Sequence, residues 1–185
     1  AIYDECGAEI GVCSVATEVN VPRPDFAERD MEEMWRANCR VIRGVIEKTG
    51  VRPEDIRAAA VCGHGKGLYL WGRDGRPARP GILSTDNRAY AYPEAWRKSG
   101  VEARLFDITC QHILPYQPTA LLAWLRDNEP ETVERTKYVF ACKDYVRFRL
   151  TGEARAELTD YSGDGLVNLR TGAYDTRISA ALGLS

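Results

Sequence analysis

The stretch VCGHGKGLYLWGRDGRPARPGILSTDNR, residues 61–88, decides how the chain is read. A small apolar segment, Ile56 to Cys62 (IRAAAVC), reads as a strand that ends in GHGKG. A second strand, Leu68 to Trp71, follows at once, turns at Asp74-Gly75, and returns through Pro80 to Leu83 before STDNR. Two polar clusters, GHGKG and STDNR, therefore close the ends of neighbouring strands. In an open α/β sheet, ligands bind in the crevice beyond such ends. Glycines 63, 65 and 67 let a ligand approach the backbone. The spacing is neither G-x-x-x-x-G-K-[ST] nor G-x-G-x-x-G, so no standard nucleotide loop is present here.

Working outward, Ala1 to Tyr3 and Ile10 to Val19 read as a hairpin around a polar turn at Asp4 to Gly7. The short first strand reads as a β-element entered midway, with residues missing upstream. Val21 to Arg29 carries two prolines and reads as a loop. Asp30 caps a helix with Glu33 in capping-box position; Met31, Met34, Trp35, Val41, Ile42, Val45 and Ile46 form its apolar face, and Gly50 ends it. This order suggests an α/β protein with the helix crossing over the sheet, and Trp35 in the core.

After STDNR the pattern turns helical. Helices are expected from Pro93 to near Gly100, over Val101–Phe106, over Pro118–Asn128 and, as a charged turn, over Glu131–Arg135. Tyr138–Cys142 reads as a buried strand and Asp144–Leu150 as a helix stopped by Gly152. Thr159–Gly165 is a polar turn before a short strand, Leu166–Leu169, and Ile178–Leu182 opens a last helix. No repeat or composition shift divides the 185 residues, so one domain is expected.

At 44% hydrophobic and 28% charged the chain suits a soluble globular protein, and a net charge of −2 argues against a nucleic-acid partner. No apolar run has membrane-spanning length and no signal peptide opens the chain, so the expected location is the cytoplasm. None of the six cysteines forms C-x-x-C. The pairs Cys62/His64 and Cys110/His112 fit zinc spacing poorly, and Cys39 and Cys62 read as small buried hydrophobes.

Unusual polar residues gather in four loops: His64 and Lys66; Asp86, Asn87 and Arg88; Tyr116; Asp160 and Ser162. A polyol needs convergent donors and acceptors, because each hydroxyl removed from water must be paired. Lys66 can donate, Asp86 and Asp160 can accept, and Tyr116 can pack on a sugar face. Each also has a plainer role: a solvated lysine, turn or cap aspartates, a surface ion pair at Arg88, a histidine bonded to backbone.

The segments VCGHGKGLYLWGRDGRP, GILSTDNRAY, LPYQPTALLAWLRDNEP, KDYVRFRLTGE and TDYSGDGLVNLR resemble, in order and spacing, the N-terminal half of the FGGY carbohydrate kinases. The pattern is most like the branch acting on L-xylulose or 3-keto-L-gulonate. The resemblance implies an actin-like, ribonuclease-H-like ATPase domain over residues 1–185, with its first strand truncated. It implies a second lobe of the same fold, absent here, and transfer of a phosphoryl group from ATP, with Mg²⁺, to a sugar hydroxyl between the lobes. By the same resemblance His64, Gly65, Lys66, Asp86, Arg88, Tyr116 and Asp160 are expected on the sugar side. No catalytic residue is assigned, the proton-accepting aspartate being expected beyond Ser185. Leu121 stands where the family commonly has a lysine. The expected partner is a small sugar, a homodimer stays open, and the other reading is a non-catalytic sugar-binding module of the same fold.

Overall fold

The computed structural model describes residues 1–184. Its element order is β1 (Ile2–Tyr3), β2 (Glu9–Gly11), β3 (Glu28–Arg29), α1 (Met31–Thr49), β4 (Tyr69–Gly72), β5 (Gly81–Ile82), α2 (Ala91–Lys98) and α3 (Val101–Thr109). Then come α4 (Pro118–Asn128), α5 (Pro130–Arg135), β6 (Thr136–Phe140), α6 (Cys142–Thr151), α7 (Leu158–Tyr161), β7 (Val167–Asn168), β8 (Ala173–Tyr174) and α8 (Thr176–Ala181).

β4 is the centre. One of its edges pairs with β6, Tyr69 opposite Phe140 and Trp71 opposite Tyr138. Its other edge takes the returning chain: Leu68 and Ile82 exchange both backbone hydrogen bonds at 2.8 Å, and Ala78 N–H donates to Leu70 at 2.9 Å. β5 in turn pairs with β3. The result is an antiparallel run β6-β4-β5-β3. Because side chains alternate along a strand, Leu68 and Leu70 face Leu121, Leu125, Leu105 and Ile178. Tyr69 faces the other way, toward Met31, Met34, Phe140 and Tyr145. Helices therefore cover both faces, which explains the uninterrupted apolar run.

The expected strand at Ile56–Cys62 is absent, and no crossover to a parallel strand is seen among the described residues. Both edges of β4 are taken, and three consecutive alanines offer little apolar area to dock elsewhere. Cys62 is accordingly exposed, and Cys39 half-buried, where small buried side chains were expected. Residues 28–29 form strand β3 rather than loop. β6 ends at Phe140 because Ala141 already caps α6, so Cys142 begins a helix rather than ending a strand. One turn of helix, α7, interrupts the polar cluster at 159–165.

Other boundaries follow their chemistry. Asp30 accepts from Glu33 N–H at 2.8 Å, and Gly50 closes α1 in the left-handed region at φ 68°. Glu33 completes no capping box; its carboxylate pairs with Arg36 and Arg40 instead. Trp35 is half-buried rather than core, lying under the Arg149 guanidinium at 4.9 Å. Ile42 is 39% exposed. No described helix is long and apolar enough to cross a membrane.

Leu70, 1% exposed at the middle of β4, tests this architecture. Leu70→Ala should lower the unfolding free energy by about 2–5 kcal/mol, read from urea denaturation. A loss below about 0.5 kcal/mol would contradict a core built on β4.

Candidate functional site

The chain enters β4 through a strained turn. Lys66 sits at φ 64°, a left-handed conformation unusual for a side-chain-bearing residue, and Gly67 follows at φ 73°. Gly67 must be glycine: an added Cβ would lie 2.5 Å from the Ile82 carbonyl oxygen. Its N–H donates to the Tyr116 carbonyl at 2.9 Å, which ties the GHGKG loop to the segment before α4. The Lys66 ammonium then stands 5.7 Å from the Tyr116 ring centre. On the other side of the loop, a Cβ on Gly65 would lie 3.2 Å from Asp160 Oδ1. Three of the four separated loops thus converge.

Between them is a cavity of about 240 Å³, lined at its polar positions by Lys66, Asp160, Asp164, Tyr161 and Tyr174, with Val139 and Leu166 among its apolar walls. The start of α6 supplies a cation beneath it. Lys143 Nζ lies 3.3 Å from Asp160 Oδ2 and 3.5 Å from both Asp144 Oδ1 and Glu157 Oε2. Burial opposes the charge on Lys143, but the carboxylates of Asp144, Asp160 and Glu157 outweigh it and hold the ammonium pKa above its ordinary value.

His64 turns away from the cavity. Its Nε2 lies 2.9 Å from the Tyr69 hydroxyl and its Nδ1 3.2 Å from the Gly65 carbonyl. Burial lowers its pKa, against the raising effect of that carbonyl. Nδ1–H donates to the Gly65 carbonyl, which can only accept, and with Nε2 against the Tyr69 hydroxyl the ring braces the loop.

Asp86 and Arg88 lie elsewhere. Asp86 is fully buried and accepts from Ala27 N–H at 2.7 Å, from Arg88 Nε at 2.9 Å and from Arg88 Nη2 at 2.8 Å. Arg88 Nη2 also donates to Glu28 at 2.7 Å, and its guanidinium stacks 3.9 Å over Phe26. Glu28 pairs further with Arg79, which reaches Glu129 at 2.8 Å. These residues clip β3, β5's flank and the end of α4 together; the structure does not bring them into the cavity. Arg88 is thus a buried ion pair, not a surface one.

Asp164, Lys143 and Asp144 were not singled out by sequence. The S-G-D-G run around Asp164 was the available signal, but it reads as an ordinary turn.

Over residues 1–185 the chain matches the N-terminal domain of the FGGY family of carbohydrate kinases, and it belongs to that family. The probable L-xylulose kinase of Pasteurella multocida is 35% identical over 184 residues, covering all of this chain and 38% of that protein. The L-xylulose/3-keto-L-gulonate kinase of Escherichia coli K12 is 34% identical, with 37% of its length covered. A ligand-bound xylulose kinase from Lactobacillus acidophilus superposes with a TM-score of 0.91 at 23% identity, over 99% of this chain and 37% of that one. The domain therefore has the α/β, actin-like ATPase fold of sugar kinases. It spans about 38% of the length of the curated relatives it matches.

Two predictions follow from this geometry. Asp86→Ala leaves Arg88 buried without its main partner and should cost about 3–5 kcal/mol of stability; chemical denaturation reads it, and a loss under 1 kcal/mol would remove the structural role. Lys66→Gly exchanges a left-handed penalty of about 1–2 kcal/mol for glycine's entropic cost of about 0.5–1 kcal/mol. Its melting temperature should therefore hold or rise slightly, and a fall of several degrees would contradict the strained turn.

Proposed function

We propose that this chain is the sugar-binding lobe of an ATP-dependent kinase for a ketopentose or related keto sugar, L-xylulose or 3-keto-L-gulonate being the best-supported substrates. The observation that carries this reading is the convergence of Lys66 and Asp160 on one cavity beside Tyr116. Lys66 supplies donors, Asp160 an acceptor and Tyr116 an aromatic face, the set a polyhydroxylated ligand requires. The names of the relatives at 34–35% identity support the substrate class. Gly65 contributes by its lack of a side chain, which leaves room for Asp160. In this reading His64 braces the loop, and Asp86 and Arg88 act on the sugar side at a distance, by fixing the strand return that ends in STDNR.

Phosphoryl transfer rests on positioning and on neutralising charge around the γ-phosphate. The residues present do not fit that second task. Among the described residues no three His, Cys, Asp or Glu side chains are gathered as a metal cage. Of the carboxyls lining the cavity, Asp160 already holds Lys143, which leaves Asp164 alone. On this reading ATP and Mg²⁺ are held by a partner lobe, corresponding to the greater length of the relatives.

An ATP-dependent turnover assay compares the 185-residue chain with the same chain joined to a family C-terminal lobe. Turnover of L-xylulose by the joined protein and none by the chain alone is expected. Comparable rates would overturn the division of labour, and sugar binding without turnover in the joined protein would favour a non-catalytic module.

A further inference from the structure

The cavity contains a second carboxyl whose hydrogen bonding is incomplete. Asp164 is 5% exposed, lines the cavity beside Asp160 and Tyr174, and its Oδ1 has no hydrogen-bond partner in the protein. Buried polar atoms are nearly always paired, and an unpaired one in a native structure calls for an explanation. Slack in the loop does not supply it. Gln117 Nε2 donates to the Gly163 carbonyl and Gln111 Nε2 to the Ser162 carbonyl, both at 2.7 Å. The two glutamines are joined to each other at 2.8 Å. Gly165, at φ 81°, lies close against Thr119, which an added Cβ would meet at 3.3 Å. The backbone on both sides of Asp164 is thus held in place, while its buried Oδ1 stays open.

We propose that Asp164 is a specificity-determining residue of this cavity, its open oxygen accepting a hydrogen bond from a hydroxyl of a neutral keto sugar. The inference rests on the sugar-cavity reading above and narrows it: a neutral ketopentose is preferred to a sugar acid. Asp160 from α7 and Asp144 from α6 bring negative charge to Asp164, and Tyr161 and Tyr174 bring phenols. The nearby ammonium, Lys143, is already shared among Asp144, Asp160 and Glu157. A carboxylate-bearing sugar would meet Asp160 and Asp164 together, two carboxyls against the single ammonium of Lys66 among the described lining residues.

Protonation makes the idea testable. Burial pushes the Asp164 carboxyl up to about 7, the charges of Asp160 and Asp144 adding to the effect against a lowering contribution from its own backbone N–H. A sugar hydroxyl that donates to Asp164 favours the ionised form, so binding releases a proton and strengthens as pH rises through about 7. An anionic sugar should bind more weakly over the same interval, because the ionised form repels it. Burial lowers the His64 pKa, moving its titration away from this interval.

Isothermal titration of the intact protein with L-xylulose and with 3-keto-L-gulonate, from pH 6 to 8.5, reads these slopes. Asp164→Asn keeps an acceptor of the same shape and should bind with a flat pH profile; it also removes a buried charge, so its fold should hold at pH 8. Asp164→Ala should lose roughly tenfold in L-xylulose affinity. If Asp164→Ala binds like the parent, or Asp164→Asn keeps the parent's slope, the inference is overturned while the cavity reading stands. If the parent binds neither sugar at any pH, the cavity reading fails and the inference with it.

Discussion

The structure depends on the saturation of one four-residue strand. β4 is paired along both edges and covered on both faces, with Leu68, Tyr69 and Leu70 each at 1% exposure or less. Nothing can be added beside it and nothing in it can turn outward. The chain must therefore leave its N-terminal end abruptly. It does so through Gly67, where any Cβ would strike the Ile82 carbonyl, and through a left-handed Lys66. That exit carries the GHGKG loop against the start of α6, where a Cβ on Gly63 would lie 3.3 Å from Cys142 Sγ. Position of the loop is thus a consequence of packing in the strand behind it.

The return of the chain is fixed by charge rather than by apolar contact. Removing charged groups from water costs several kcal/mol per ion and is recovered only when geometry and hydrogen bonding are nearly complete. Around Asp86 they come close: both carboxylate oxygens are occupied, and Arg88 engages Asp86, Glu28 and the faces of Phe26 and Trp124, with only its Nη1 left without a hydrogen-bond partner. Such a network tolerates little displacement. It holds β3 to the STDNR loop and, through Arg79 and Glu129, to the end of α4. Since α4 begins next to Tyr116, rigidity in the network is passed to one wall of the cavity.

How much of this was legible in the sequence follows the range of the interactions involved. Helix α4 matches its expected span, Pro118–Asn128, because proline entry and apolar spacing are local signals. Gly50, Gly100 and Gly152 stand at helix ends in left-handed geometry for the same reason. Ile56–Cys62 misled, since a β-prone composition does not reveal that the neighbouring strand has no free edge. Asp86 and Asp160 look alike as loop aspartates, yet one is sealed in an ion network and the other lines a cavity. Partners 59 residues distant, such as Ala27 for Asp86, decide between those fates and leave no mark on local sequence. Asp164 was illegible in the same way: its burial depends on Gln111 and Gln117, brought in from before α4.

Size alone would point to a different concavity. A larger one, about 540 Å³, lies between residues 16–20 and the start of α1, bounded by Glu18, Arg29, Asp30 and Glu33. None of its lining side chains has a buried polar atom left without a partner, among the described residues. The smaller cavity gathers Lys66 in a left-handed conformation and the unpaired Oδ1 of Asp164, beside the Asp160 carboxylate that pairs with Lys143. Lys66 and Asp164 are each unfavourable in the isolated fold, and from separate causes: sterics at a strand end and desolvation in a pinned loop. Local rules are broken where a site needs them broken. A ligand bearing several hydroxyls would relieve the unpaired Asp164 oxygen while meeting Lys66 at the same cavity, which is why the smaller cavity has the stronger claim to be the site.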